Sequence, residues 1–197
     1  MGYSTVVAGT TITASWANAN VRDQVVTPFA TTSARDSAIA SPVEGMVCTI
    51  TNTDYLEVYH GAWIDIGPLT AWASWSPTLT QSGSVTKTVS SGVYMRVGRL
   101  IVATCRLAVT GSGTTNNTIT VSLPVNAADT SGRMGTGEIY DASAASIYRG
   151  IAVAQSATTV ALRRTDGTSA SYIGVDPNFA LASGDEVNFH LTYQGAS

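Results

Sequence analysis

Between residues 93 and 109, apolar and polar residues alternate in two runs that predict a β-hairpin. Gly98-Arg99 separates the runs, and glycine in the first position of a two-residue loop favours a type II′ turn. The face predicted to be buried carries alternate residues of both strands: Val93, Met95, Val97, Ile101, Ala103, Cys105, Leu107 and Val109. A hairpin cannot bury its apolar face alone, so the rest of this half of the chain should complete a sandwich.

The same alternation recurs from residue 78 onward, with turn residues roughly every ten positions. The clearest run is the last, in which Val187, Phe189, Leu191 and Tyr193 share one face. The other predicted strands span residues 78–81, 84–89, 117–124, 137–140, 147–154 and 158–164. This spacing predicts a mainly β protein with a C-terminal antiparallel β-sandwich of jelly-roll-like topology.

The N-terminal part shows a different period. Residues 13–26 predict a short α-helix, with Thr11 or Thr13 as its cap and Pro28 beyond its end. Trp16 or Ala17, Val21 and Val25 would share one side of this helix. A single helical turn is predicted further on, capped by Ser33 and ending before Ser41-Pro42.

Three short strands follow, at residues 45–50, 55–59 and 62–66, and Asn, Asp and Gly mark the turns between them. They predict a small β-meander. The chain is therefore expected to divide into an N-terminal segment at 1–67, a linker rich in Trp and Pro at 68–77, and the β-sandwich at 78–197.

The two tryptophans of the linker, Trp72 and Trp75, have two interpretations. Buried, they would hold the junction rigid, which is the commoner use of large aromatic side chains. Exposed, they would form a surface platform for a sugar, together with Tyr148 or Tyr172 from the sandwich.

Charged residues make up 12% of the chain, and its net charge of −3 is spread without runs. This balance predicts neither a nucleic-acid partner nor binding to anionic lipid. The start of the sequence does not resemble a signal peptide, and no stretch has the length of a membrane span, so we expect no membrane insertion. Cys48 and Cys105 are expected to be free buried thiols, with a disulfide between them as the alternative.

The sequence offers no constellation typical of an enzyme, and we expect no catalytic residue, metal or cofactor. His60 and His190 have no predicted nucleophile or metal partner, and the two cysteines do not have zinc-binding spacing. The carboxylates available to a glycosidase are Asp141, Asp166, Asp176, Asp185 and Glu186. Most of them lie in turn contexts such as Asp166-Gly167, Asp176-Pro177 and Gly184-Asp185, where turn formation explains them because an Asp side chain caps its own backbone.

Several motifs in the C-terminal half resemble the C-terminal modules of minor tail and fibre proteins from tailed bacteriophages of actinobacteria. They are Trp75-Ser-Pro-Thr-Leu-Thr, Gly92-Val-Tyr-Met-Arg-Val-Gly-Arg-Leu-Ile-Val and Val121-Ser-Leu-Pro-Val. The N-terminal half is similar to the opening helix and small meander of such virion proteins. Its motifs are Thr11-Ile-Thr-Ala-Ser-Trp-Ala-Asn, Arg35-Asp-Ser-Ala-Ile, Pro42-Val-Glu-Gly-Met-Val and Leu56-Glu-Val-Tyr.

The resemblance implies a virion structural protein, made in the host cytoplasm and commonly a homotrimer. Its N-terminal part would attach to other tail or capsid proteins, and its β-rich part would face outward, where a host-surface glycan is a possible ligand. A tail fibre, a receptor-binding protein and a head fibre or capsid decoration protein all remain open. A carbohydrate-binding, lectin-like module is the alternative from another class.

Physical chemistry also predicts self-assembly through the N-terminal segment. This segment is rich in large apolar residues, yet it forms only a short helix and a small meander. Apolar surface of that kind usually marks a partner site, which closed rings of identical subunits can bury. The residues predicted to line this interface are Trp16, Val21, Val25, Phe29 and Trp63.

Overall fold

The computed structural model describes residues 8–9, 11–20, 26–68, 72–165 and 171–196. The chain forms two compact units, residues 1–71 and 72–197. The boundary falls inside the predicted linker, so Trp72 and Trp75 belong to the second unit. Among the described residues, no helix has the length and apolar character that crossing a bilayer requires.

In its described residues, the first unit contains two short helices and a four-stranded sheet. Its elements are α1 (Ala14–Asn20), β1 (Thr27–Phe29), α2 (Thr32–Ala38), β2 (Val47–Ile50), β3 (Tyr55–Tyr59) and β4 (Trp63–Pro68). The Thr13 hydroxyl caps α1 by accepting a hydrogen bond from the backbone N–H of Trp16 at 3.1 Å, as one of the two predicted caps. Residues 21–25 of the predicted helix lie outside the described residues, and Pro28 lies within β1.

The small sheet has the order β1-β2-β3-β4, and its last three strands form the predicted antiparallel meander. Strand β1 was not predicted. It is three residues long, it pairs in parallel with β2, and it contains Pro28, which edge strands tolerate because one side of the strand needs no N–H donor. Helix α2 is longer than the predicted single turn, and its cap is Thr31 rather than Ser33. The Thr31 hydroxyl accepts from the N–H of Ala34 at 3.1 Å.

The second unit is one continuous sheet of ten strands. They are β5 (Ala73–Ser74), β6 (Leu79–Gln81), β7 (Gly83–Ser84), β8 (Lys87–Val97), β9 (Leu100–Val109), β10 (Thr120–Ser122), β11 (Arg133–Asp141), β12 (Ser146–Ala154), β13 (Thr159–Arg164) and β14 (Glu186–Gln194). Their order is β5-β8-β9-β14-β11-β12-β13-β10-β6-β7, and every pair is antiparallel. The predicted mainly β, antiparallel class is confirmed.

This sheet curls so that one face encloses the core, which gives a sandwich-like body without a break between two sheets. The Tyr193 hydroxyl of β14 donates to the carbonyl oxygen of Val125, just after β10, at 2.7 Å. Strands β14 and β10 are four positions apart in the sheet, so this bond crosses the enclosed interior. Strands β11 to β14 form a Greek key, because β14 returns to pair with β11 after the β11-β12-β13 meander.

The hairpin of β8 and β9 confirms the predicted turn. Val97 pairs with Leu100 across Gly98-Arg99, and Gly98 has a φ of 56°. The predicted face of β8 is wrong, however. Tyr94 packs against the core opposite Ala103, whose small side chain leaves room for the ring.

As a consequence, Val93, Met95 and Val97 lie on the outer face of the sheet. They stand opposite Thr104, Val102 and Leu100 respectively. A register shift between Val89 and Ser91 precedes them in β8, and an extra residue in one strand exchanges the two faces beyond it. The predicted inward residues of β9 and β14 are all buried, as expected.

Cys48 and Cys105 are both free and buried, as predicted, and they belong to different units. Burial raises the pKa of the Cys105 thiol from 9.0 to about 12. Burial, followed by the nearby Glu57 carboxylate, raises the pKa of the Cys48 thiol from 9.0 to about 11. Both thiols are therefore protonated and unreactive in the folded protein at neutral pH.

We expect neither thiol to react with a disulfide reagent at pH values near 8 until denaturant is added. A raised folded-state pKa stabilises the fold fully below pH 9.0, and this contribution is lost as the pH rises through 11 to 12. Tyr193 acts in the same direction, because burial raises its pKa from 10.0 to about 12. Unfolding by urea at a series of pH values should show constant stability near neutrality and a progressive loss above pH 9. Rapid labelling of either thiol in the native protein would contradict this expectation.

Candidate functional site

The structure does not assemble the four aromatic residues considered as a sugar platform. Trp75 is only 8% exposed and belongs to the core, so it offers no surface ring. Its backbone N–H donates to the Gly92 carbonyl oxygen at 2.7 Å. Tyr148 also packs against the core, stacked on Phe179 with ring centroids 5.1 Å apart. Trp72 is 42% exposed, and Tyr172 is half-buried. A shared aromatic platform is therefore not supported.

The residues predicted to form an assembly interface differ in their burial and in their contacts. Trp63 makes its main contacts within its own unit: its ring meets Tyr59 edge-on at 5.4 Å, and the Arg35 guanidinium lies 4.7 Å from its centroid. Phe29 in β1 and Trp16 in α1 are half-buried. Val21 and Val25 lie outside the described residues.

One face of the small sheet is covered by helix α2 through a buried ion pair. The Arg35 guanidinium donates to the Glu57 carboxylate, and both side chains are almost fully buried. The Cys48 thiol donates to the same carboxylate at 3.6 Å. Arg35 also donates to the exposed carboxylate of Asp36 at 2.8 Å. These contacts complete the core of the unit on this side.

The opposite face of the small sheet is apolar and only partly buried. Val58 on β3 stands between Val47 on β2 and Ile64 on β4, and all three share this face. Ile64 is 41% exposed. Ile66 lies on the same strand at a register shift and is 45% exposed. We call Val47, Val58 and Ile64, together with Ile66 at the register shift, the open face. Ile64 and Ile66 give this edge strand exposed apolar surface that another chain can cover.

In the second unit, a groove of about 830 Å³ that is lined mainly by polar residues crosses the outer face of the large sheet. The floor of the groove is a row of polar residues, one from each of five neighbouring strands. The pairing register of the strands places these residues side by side. The row is Ser91, Arg106, Asn188, Glu138 and Arg149, on β8, β9, β14, β11 and β12. A second row, Thr104, His190, Thr136 and Ile151, runs beside it. We call these two rows the outer groove.

The charged side chains that line the outer groove form two ion pairs. Arg106 donates through Nε and Nη2 to the Glu186 carboxylate, with its closest contact at 2.8 Å. Arg149 donates through Nε to Glu138 at 3.3 Å. The side-chain hydrogen bonds to Glu186 are the largest cause of a raised pKa at Arg106, so this guanidinium is always charged. The groove therefore presents paired donors and acceptors of both signs.

The remaining titratable residues singled out in the sequence have structural positions. Asp185 is buried, and its carboxylate accepts from the N–H groups of Ala142 and Ala182, both at 2.9 Å. Asp141 accepts from Ser143 and Ala144 in the next turn. Asp176 pairs with Arg164 at 2.8 Å. The turn role predicted for Asp185 is thus confirmed, and Asp141 has the same kind of role. Asp166 lies outside the described residues.

The two histidines are exposed and far apart in the sequence. His60 is hydrogen-bonded to Glu44 at 2.7 Å, and His190 lines the outer groove. Within the described ranges, no three His, Cys, Asp or Glu side chains come together in a way that could hold a metal ion.

Comparison of the chain with protein-family models, with curated proteins and with solved structures finds no match.

Proposed function

We propose that this chain is a structural protein of a tailed-bacteriophage virion, of the minor tail or tail-fibre type. The first unit would attach to the particle and assemble with sister copies, and the second unit would be exposed. The sequence motifs suggest this class of protein. The low content of charged residues and the mainly β fold agree with it.

The open face of the first unit is the observation that best supports this proposal. Among the described residues, helix α2 covers one face of the four-stranded sheet, and the other face is the open face. A solvated sheet face usually carries polar residues, whereas Ile64 and Ile66 leave large apolar side chains exposed. Burying Ile64 and Ile66 in a closed ring of identical copies would remove both from water. We propose a homotrimer in which each copy contributes its open face.

The oligomeric state tests this part of the proposal. The double variant Ile64→Glu, Ile66→Glu is expected to be a folded monomer at micromolar concentration, because each buried glutamate would cost several kcal/mol in the interface. The unchanged protein should be a trimer by light scattering coupled to size-exclusion chromatography. Ile147→Glu is the matched control, since Ile147 is 49% exposed on the second unit and its replacement should leave the trimer intact. A folded monomer from the unchanged chain would argue strongly against assembly through this unit.

The position on the particle distinguishes the tail proposal from a head fibre or capsid decoration protein with the same architecture. Purified virions labelled with an antibody against the second unit should show the label on the tail in electron micrographs. Label on the capsid would favour the decoration protein, and unlabelled virions that contain no copy of the chain would refute both.

A further inference from the structure

The outer groove has the volume of a ligand site. Its volume of about 830 Å³ lies inside the range of roughly 300 to 1,000 Å³ that is usual for small-molecule sites. Its lining comes from five adjacent strands of the sheet, which is a rigid support for side chains.

Asn188 lies in the middle of the first row, and its side-chain oxygen Oδ1 is buried without a hydrogen-bond partner in the described part of the chain. The register explains why. Its neighbour Arg106 is a natural donor, but this guanidinium is turned towards Glu186 in a bidentate pair. Its other neighbour, Glu138, is itself an acceptor and pairs with Arg149. An unsatisfied buried amide oxygen is costly, and most proteins avoid one unless a ligand or water supplies the missing donor.

The charges of the outer groove indicate a neutral ligand. Two arginines are matched by two glutamates within the same lining, so the groove has no excess of either sign to attract an ion. The lining still offers many hydrogen-bond donors and acceptors, because Ser91, Thr104, Thr136 and His190 add to the paired charges. A ligand with several hydroxyl groups can both donate and accept, and it matches such a lining better than an apolar or a charged molecule.

We propose that the outer groove binds a neutral saccharide, with one sugar hydroxyl donating to Asn188 Oδ1 and others contacting Arg106 and His190. Because Asn188 Oδ1 is buried in the free protein, a neighbouring side chain must move before a sugar hydroxyl can reach it. Arg106 and Arg149 are long and largely exposed, so they can make this movement. This site lies apart from the aromatic residues that the sequence suggested. It depends on the proposed virion function only for the source of the saccharide, a host surface.

The test uses the full chain and saturation-transfer NMR with a panel of neutral di- and trisaccharides of glucose, galactose, mannose and N-acetylglucosamine. At least one saccharide should give a transfer signal. Asn188→Leu should weaken its binding about tenfold, the effect of one lost hydrogen bond. Thr192→Ala, on the same face of β14 but outside the groove, should leave binding unchanged.

A measurement of melting temperature separates a ligand-binding role from a structural one. Asn188→Leu should raise the melting temperature of the free protein, because the substitution removes an unsatisfied oxygen. A fall would mean that Asn188 supports the fold, and it would overturn the inference.

If this variant fails to fold, Arg149→Ala provides the second test, since that exposed side chain can be removed without disturbing the core.

Three other results would also overturn the inference: no signal from any saccharide, equal binding by the unchanged protein and the groove variants, or binding of inorganic phosphate alone. These results leave the virion proposal intact, because that proposal is tested by antibody label and by oligomeric state. Conversely, if the chain binds a saccharide but is not found in virions, the proposed function is refuted and the inference of a saccharide site stands.

Discussion

Replacing Gln81 with leucine is expected to lower the free energy of unfolding of the second unit by about 3 to 5 kcal/mol. Gln81 on β6 is 1% exposed and joins three backbone groups inside the core. Its Nε2 donates to the carbonyl oxygens of Asn117 and Phe179 at 3.2 and 2.8 Å, and its Oε1 accepts from the N–H of Leu181 at 2.8 Å. Leucine would leave the buried N–H of Leu181 and the part-buried carbonyl oxygens of Asn117 and Phe179 without these bonds. Unfolding by urea, followed by circular dichroism, measures the change.

Two comparison variants make this test specific. Gln194→Leu, at an exposed position of β14, should change stability by less than about 0.5 kcal/mol. Gln81→Glu keeps the size of the side chain but cannot donate while ionised, so it should be strongly destabilising at neutral pH. Burial would raise the pKa of the new carboxyl group, so stability should recover as the pH falls and the group regains a proton. Equal stability of the leucine variant and the unchanged protein would show that these three bonds contribute little.

Removing one partner of the buried ion pair in the first unit is expected to have the second large effect. Arg35→Leu or Glu57→Leu alone should destabilise that unit by about 3 to 5 kcal/mol, because each leaves an unpaired charge in the interior. Arg35→Leu also removes the guanidinium from the Trp63 ring. The double variant Arg35→Leu, Glu57→Leu should recover most of the loss, since two apolar side chains replace two charges together.

Labelling of the two thiols measures the opening of each unit separately within the same chain. Labelling of Cys48 reports opening of the first unit, and labelling of Cys105 reports opening of the second. Either single variant should speed up labelling of Cys48 about a hundredfold or more, with Cys105 unchanged. Asp36→Asn is the matched control, because this carboxylate also contacts Arg35 but is largely exposed, and its loss should cost less than about 1 kcal/mol. Unchanged labelling of Cys48 in both single variants would contradict a stabilising role for the pair.

Strands with strict alternation were predictable from the sequence because only one register buries their apolar residues. In β14, Val187, Phe189, Leu191 and Tyr193 are separated by polar residues, and all four are buried. Strand β8 is apolar on both faces near Tyr94, so alternation alone could not decide which face points inward. The burial of Gln81 could not be predicted from the sequence either. Its three hydrogen-bond partners are backbone groups that are far from it along the chain.

The outer groove could be predicted only in its parts. The alternation of β14 places Asn188 and His190 on the outer face, and that much followed from the sequence. Their neighbours Arg106, Glu138 and Arg149 come from three other strands, so the row depends on the register between strands that are distant in sequence. The unsatisfied oxygen of Asn188 is a property of that register, and no local pattern indicates it.

The place of β14 in the sheet affects when the second unit can fold during translation. This strand lies between β9 and β11, near the middle of the order, although it comes after all of them in the chain. Arg106 and Glu186, which pair across β9 and β14, are 80 residues apart in the sequence. Strands β9 and β11 therefore cannot be joined in the sheet until residues 186–194 leave the ribosome. The sheet of the second unit is completed only after that point, although its other strands emerge earlier.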